Sequence, residues 1–277
     1  MWLDSPRSYD ELCDEVDCPL SRLYHQESKL SEYRQHAFQE GIAAYNQDGE
    51  AIRRSNRAYK PYPTRPIVEL PRPSRRRRGR RLDDLLRTRR TRRGEFASRP
   101  VTLKQWGHLL GAACGVTGRV THPELPDVVQ DLRAWPSGGA LYPVEVYLAS
   151  LRGKEPGRAV YHYQVPSHAL SEVASCPEEE RLERLVFADG LWHNASGLVI
   201  LTAVFARTQV KYGERGYRFV LLDAGHLAQN VLLVCEDLRL AAIPLGGFQD
   251  DALGELLGLK PREEAPIYAI LIGAAKR

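Results

Sequence analysis

Residues 217–240 limit the fold of this chain more than any other segment. Val220, Ala224, Leu227, Val231, Cys235 and Leu238 recur there at spacings of three and four, which places them on one stripe of a long helix. Such a helix needs a large apolar surface to pack against. Residues 197–205 (GLVILTAVF) supply one, because a continuous apolar run of that length reads as a central strand buried on both faces. Residues 144–151, 159–165, 241–245 and 267–272 read as further strands. The capping box Thr102-Leu-Lys-Gln105 opens a second helix through Trp106, Leu109, Leu110 and Ala113, with its end set by Gly115 and Gly118. Leu82, Leu85 and Leu86 sit at helical spacing, and Asp250 or Asp251 is expected to cap a short helix ending at Gly258. Helices and strands do not alternate as regular βαβ units. The predicted class is therefore α+β, with an antiparallel or mixed central sheet flanked by helices.

Charge divides the chain. Its 277 residues carry a formal net charge of +4, yet residues 71–99 hold thirteen arginines against Asp83, Asp84 and Glu95, a net of +10. The rest of the chain is net −6, so the basicity is local. No aromatic residues are interleaved with the arginines of residues 74–81 to stack on bases, which argues against nucleic acid as a partner. Residues 1–80 read as an N-terminal arm and basic, proline-rich linker, and residues 81–277 as the folded domain. Within the arm, polar helical patches at residues 30–45 precede prolines 61, 63, 66, 71 and 73, which keep residues 60–74 extended and draped over the body. Residues 75–81 read either as a solvated linker or as a contact for an acidic peptide. No apolar run reads as long enough to span a bilayer, and the acidic N-terminus lacks a signal-peptide core, so a cytoplasmic protein with no membrane partner is expected. Cys13, Cys18, Cys114, Cys176 and Cys235 are scattered without metal-site spacing, and Cys114 and Cys235 are expected as small buried side chains.

The common nucleotide and hydrolase fingerprints are absent; three dispersed segments carry chemistry instead. Arg89-Arg-Thr-Arg-Arg93 offers guanidiniums and a hydroxyl of the kind a terminal phosphate needs. Pro136-Ser-Gly-Gly-Ala-Leu-Tyr-Pro143 has two glycines that let the backbone approach a flat ligand, with Ser137 as a hydrogen-bonding group; the same segment also reads as a tight loop before a strand. Ile243-Pro-Leu-Gly-Gly-Phe248 could turn backbone N–H groups toward a ring edge. Asp223 reads as a carboxylate near a helix N-terminus, His226 as structural, and Trp106, Trp135 and Trp192 as core or interface aromatics.

The order and spacing of residues 23–29, 58–63, 102–117, 136–143, 211–230 and 243–248 resemble the nitroreductase superfamily, and specifically its SagB-type branch. The resemblance implies a nitroreductase-like homodimer with FMN at the subunit interface. By that resemblance Arg89, Thr91 and Arg93 grip the FMN phosphate, and Lys276 or Arg277 completes the grip. Pro136, Ser137, Gly138 and Gly139 border the isoalloxazine, from the partner chain, while Gly246 and Gly247 set a backbone N–H against flavin N5. Ala140 stands where many nitroreductases carry Asn, a departure that fits the SagB branch. Lys211-Tyr212 resembles the catalytic dyad of azoline dehydrogenases. Two neighbouring residues reach one site only from a turn or helix end, which Gly213 and Gly216 would supply. In that reading the Lys211 ammonium lowers the Tyr212 phenol so that it can take a ring proton. The implied function is FMN-dependent oxidation of thiazoline or oxazoline rings to azoles in a ribosomally made peptide. A cyclodehydratase partner forms the ring, and residues 75–81 hold an acidic leader or dock that partner. Three alternatives stay open: oxidation of another peptide-borne group, by Cα–Cβ desaturation or at an aromatic side chain; an NAD(P)H nitroreductase; or a flavin-free scaffold subunit of a biosynthetic complex.

Overall fold

The structure, a computed structural model, describes residues 18–56, 59–73, 79–94, 96–188 and 190–276. Cys13, Ala58, Arg277 and most of the basic run (residues 75–78) fall outside the described residues.

The core is a seven-stranded sheet in the order β1-β6-β5-β4-β7-β9-β8. Its strands are β1 (Ile67–Glu69), β4 (Val144–Ser150), β5 (Ala159–Gln164), β6 (Ala169–Ala174), β7 (Gly197–Ala203), β8 (Leu240–Leu245) and β9 (Ala265–Ala274). Every neighbouring pair is antiparallel, so the mixed alternative is corrected. The reason is connectivity. β4, β5 and β6 form a meander, whereas β7 and β8 run parallel and are joined by a helical crossover; β9 inserts between them, antiparallel to both, so no hydrogen-bonded pair is parallel. Gly118 belongs not to a helix end but to a separate hairpin of β2 (Val116–His122) and β3 (Leu125–Arg133).

Period-two alternation divides the sheet's side chains between two cores. Val199 and Leu201 of β7 join Val144, Val146, Leu148, Ile270 and Ile272 on one face. Leu198 and Ile200 join Tyr147, Ala149, Ala269 and Leu271 on the other. That double burial explains why β7 reads as unbroken apolar sequence. The first face is covered by α5 (Leu103–Cys114), with its capping box intact, and by α8 (Arg215–Asp237), whose predicted stripe packs there through Ala224, Leu227, Val231 and Cys235. The second face is covered by α6 (Glu179–Leu185) and α9 (Asp250–Leu256). Gln249, not Asp250 or Asp251, occupies the N-cap of α9; the two aspartates lie in its first turn, where they face the positive end of the helix dipole. Trp106, Trp135, Trp192, Cys114 and Cys235 are all buried, as expected. At 23 residues, α8 is long and apolar enough to cross a membrane by length and composition, contrary to the sequence expectation. Its apolar stripe is instead committed to the sheet.

The arm is more structured than a draped linker. It forms α1 (Pro19–Glu27), α2 (Glu32–Gln47) and α3 (Gly49–Asn56), and then adds β1 to the sheet edge beside β6. Between them Lys60 is sunk into the body. Its Nζ donates to Tyr147 Oη and Glu264 Oε2, both at 2.7 Å, while Thr202 Oγ1 and Tyr147 Oη donate to Glu264 Oε1. A carboxylate as buried as Glu264 is costly unless paired, so Lys60 and Glu264 together fix where the arm joins the body.

Candidate functional site

Lys211 and Tyr212 end the short helix α7 (Ala206–Tyr212), and Gly213 breaks it with φ +53°. This is the helix-end geometry that lets adjacent side chains converge. They meet at the glycine loop before β4. A Cβ built on Gly139 would stand 2.7 Å from Tyr212 Oη and 3.5 Å from Lys211 Nζ, and Gly139 also has φ +65°. Glycine is therefore required there twice, by contact and by backbone conformation. Gly138 faces the Tyr212 and Phe219 rings in the same way.

The loop is strained and strongly braced. Ala140 and Tyr142 hold φ values of +53° and +45°, conformations that cost non-glycine residues about 1–3 kcal/mol each and persist only when neighbours enforce them. Ser137 is the brace. Its hydroxyl oxygen accepts from the Tyr142 N–H at 2.9 Å and its proton goes to the Asp223 carboxylate, which also accepts from the Gly138 N–H. Ser137, expected to bond a ligand, thus has its hydroxyl committed within the fold. Beneath the loop, Arg207 holds the Tyr142 carbonyl and ion-pairs at 2.5 Å with Glu145 of β4, which also bonds His162 at 2.8 Å.

Two buried carboxylates support this loop in opposite states. Burial pushes Glu145 up, but the His162 hydrogen bond and the Arg207 charge outweigh it and hold the carboxyl at about 2. Burial also pushes Asp223 up, and its bonds to Ser137 and Gly138 only partly offset that, leaving it at about 6. The dyad itself departs from the sequence expectation. Burial raises the Tyr212 phenol, and the nearby Tyr45 and Asp223 raise it further. Burial lowers the Lys211 ammonium. Desolvation acts against the charged form of both groups, so Lys211 does not make Tyr212 a ready phenolate. Aromatic rings complete the surroundings: Tyr45 lies 4.9 Å from Lys211 Nζ, Phe38 stacks on Tyr212 at 6.1 Å, and Phe219 meets Tyr212 edge-on at 5.0 Å.

A second cluster occupies the opposite end of α8. There Arg80, Arg92, Arg99, Arg239 and Lys276 surround a cavity of about 500 Å³ with Glu236 as its carboxylate. Arg80 and Arg92 ion-pair with Glu236 at 2.9 and 3.6 Å. Lys276 donates to the Gly94 carbonyl, which ties the segment after the C-terminal strand to the end of the arginine run. Arg92 is the member of that run at the cavity; Arg89, Thr91 and Arg93 are not among the residues lining it. Gly246 and Gly247, after β8, are exposed beside Phe187, whose N–H donates to the Gly247 carbonyl at 2.9 Å. Pro136 is exposed at the start of the loop.

Sequence reasoning missed Asp223 as the loop's anchor, Tyr45 and Phe38 as walls of the dyad, and Arg99, Arg239 and Glu236 as parts of the cationic cavity. The signal for Asp223 was a carboxylate interrupting the apolar stripe of α8. The others are brought in by distant segments and left no local trace.

Comparison with known proteins agrees with this architecture. A nitroreductase family model matches residues 86–274. A presumed nitroreductase of Methanocaldococcus jannaschii is 32% identical over 195 residues, covering 70% of this chain and 90% of that one. The microcin B17-processing protein McbC of Escherichia coli is 33% identical over 156 residues, covering 53% of this chain and 56% of McbC, so under two thirds of McbC is spanned. Among solved structures, a presumed nitroreductase of Anabaena variabilis superposes with TM-score 0.69 at 26% identity over 91% of this chain and 46% of that chain, so under half of that neighbour is matched. A chain of the E. coli microcin synthetase McbBCD complex, solved with truncated pro-MccB17 bound, shares the fold with TM-score 0.56 at 24% identity, over 90% of this chain and 99% of its own length.

Proposed function

Because this chain belongs to the nitroreductase family, we propose that it is an FMN-dependent dehydrogenase that oxidises azoline rings to azoles in a ribosomally made peptide. The observation that carries the reading is the convergence of Lys211 and Tyr212 on the Gly138-Gly139 loop. A pair of proton-handling groups held against a glycine loop suits removal of a ring proton beside a flat redox cofactor. The similarity to McbC, named for processing microcin B17, supports a peptide as substrate.

The residues present fit FMN. Glu236 pairs with Arg80 and Arg92 but offsets only one of the five positive charges at the cavity, which leaves an excess of positive charge for a phosphate. Lys276, expected from the family resemblance, and Arg92, a neighbour of the expected Arg89, Thr91 and Arg93, would hold it, with Arg99 and Arg239 adding charge. Asp223 and Glu236 lie thirteen residues apart on α8, about 20 Å at 1.5 Å per residue. A ribityl chain is too short to join a phosphate at one end to a ring at the other within one subunit. We therefore assign the phosphate grip and the Gly246-Gly247 edge to one subunit, and the loop and dyad to its partner, in a homodimer. α8 leaves Leu221 and Leu222 exposed, an apolar surface such a dimer would cover.

Aromatisation removes one proton and one hydride from the ring, and bound FMN supplies the hydride acceptor. Lys211, its ammonium destabilised by burial, is the residue that accepts the proton as a neutral amine. Tyr212 stays protonated and donates a hydrogen bond that orients the ring. The test is incubation of FMN-loaded protein with a thiazoline peptide under air, followed by mass spectrometry. Loss of two hydrogens from the peptide is expected. Peptide left intact while NAD(P)H bleaches the flavin and a nitroarene is reduced would replace this reading with a nitroreductase. A cyclodehydratase partner would be sought by co-purification.

A further inference from the structure

We propose that the N-terminal arm builds a side-chain pocket for the residue next to the ring, selective for an apolar or aromatic group. The proposal rests on the reading of Lys211 and Tyr212 as the dyad that meets a peptide-borne ring. A cleft of about 460 Å³ separates α2 from the end of α7, and Leu30, Ala37, Phe38 and Gly41 of the arm face Lys211 and Tyr212 across it.

Three features make this a built pocket. The arm turn that closes it is latched: Arg215 donates to the Ser28 carbonyl at 2.8 Å, and Arg218 donates to Ser28 Oγ at 2.8 Å and to the His25 carbonyl at 2.7 Å. Both arginines come from the first turns of α8, directly after the dyad, so arm and dyad are fixed to one another. Next, the basic groups at the rim already have partners, and Glu214 adds one carboxylate there. Arg34 pairs with Glu27 at 2.7 Å and Lys29 bonds Gln26 at 2.8 Å, which leaves apolar carbon as the larger free surface. Finally, Gly41 lies in the interior of the sixteen-residue helix α2, where glycine costs about 1 kcal/mol relative to alanine. A Cβ there would meet only the Lys211 carbonyl, at 3.9 Å. The missing side chain keeps space open beside the dyad. The stacked Phe38 and Tyr212 rings form the wall against which a flat or branched side chain would pack.

The experiment uses FMN-loaded full-length protein and two thiazoline hexapeptides that differ only in Phe or Gly before the ring, together with their thiazole products as binding probes. Calorimetry on the thiazole peptides is expected to show about tenfold tighter binding of the Phe form, the gain from burying one aromatic side chain in a partly open site. In Gly41→Leu, a better helix former that should keep its melting temperature and flavin content, the preference falls to about one as the new side chain fills the space. Equal binding of both peptides to the wild type, or an undiminished preference in Gly41→Leu, overturns the pocket. The two readings separate cleanly. A Phe preference in binding with no ring oxidation keeps the pocket and removes the azoline chemistry. Oxidation of both thiazolines at equal kcat/KM keeps the chemistry and removes the pocket.

Discussion

The two ends of α8 are built from different materials. At its N-terminal end the dyad sits among aromatic rings, with carboxylates buried under a strained loop. At its C-terminal end four arginines and a lysine crowd around one glutamate. Cations there also face the negative end of the helix dipole, which favours them. One end is dry and tuned to make charge uncomfortable, which suits proton transfer. The other holds surplus charge and suits a ligand that brings its own. A single helix keeps the two apart, so on the proposed reading each end supplies half of a site completed by the partner subunit.

The sharpest way to break that comparison is at Lys211. Lys211→Ala should lower kcat by about 10²–10⁴-fold with flavin content unchanged. Lys211→Arg should be as damaging, because a guanidinium cannot give up its proton. Substantial turnover in Lys211→Arg, read by steady-state kinetics, would return the base role to Tyr212. Next in size is the loop's support. Glu145→Gln leaves Arg207 without its buried counter-charge and should cost about 3 kcal/mol in urea unfolding. The Glu145 carboxyl is held below its ordinary value of 4.5, so its contribution is complete above that pH and is lost as pH falls toward about 2. The variant should lack that slope. At the opposite end, Lys276→Ala should weaken FMN binding about tenfold, measured by fluorescence titration, while kcat at saturating FMN holds. A fall in kcat instead would blur the division of labour. The smallest effect is expected at Asp223. Its carboxyl is raised from 3.8 to about 6, so the native state favours the proton, and its contribution to stability is present below about 3.8 and lost as pH rises through about 6. Asp223→Asn can accept the same two hydrogen bonds without charging. It should melt higher than wild type above pH 6 and converge with it near pH 4.

Much of this was legible in the sequence, for reasons that differ by region. β7 and α8 declared themselves because each is buried along its length, so burial wrote a continuous run or a stripe. The capping box at Thr102 needs only four neighbouring residues. Lys211 and Tyr212 were singled out through family resemblance, and their place at a helix end was legible through Gly213. The hairpin β2–β3 was not legible, because most of its residues face solvent and leave no alternation to read. Adjacency in sequence suggested that the Lys211 charge lowers the Tyr212 phenol, whereas burial, with Tyr45 and Asp223, raises it, and burial lowers the Lys211 ammonium. Arg92, and not Arg89, Thr91 or Arg93, reaches the cationic cavity, and in a run of five residues only the backbone path decides which side chain turns inward.

Lys60 is a buried point at which the arm joins the body, downstream of every arm residue that lines the cleft. The arm is thereby a cassette with its own fastening. A junction placed between Asn56 and Tyr59 would exchange the helices that shape the cleft while leaving the fastening and the sheet intact, provided the graft keeps Phe38 and Tyr45 against Lys211 and Tyr212. Chains grafted at that junction could share one oxidising body and differ in the peptides they accept, so that selectivity is changed by recombination rather than by rebuilding the core.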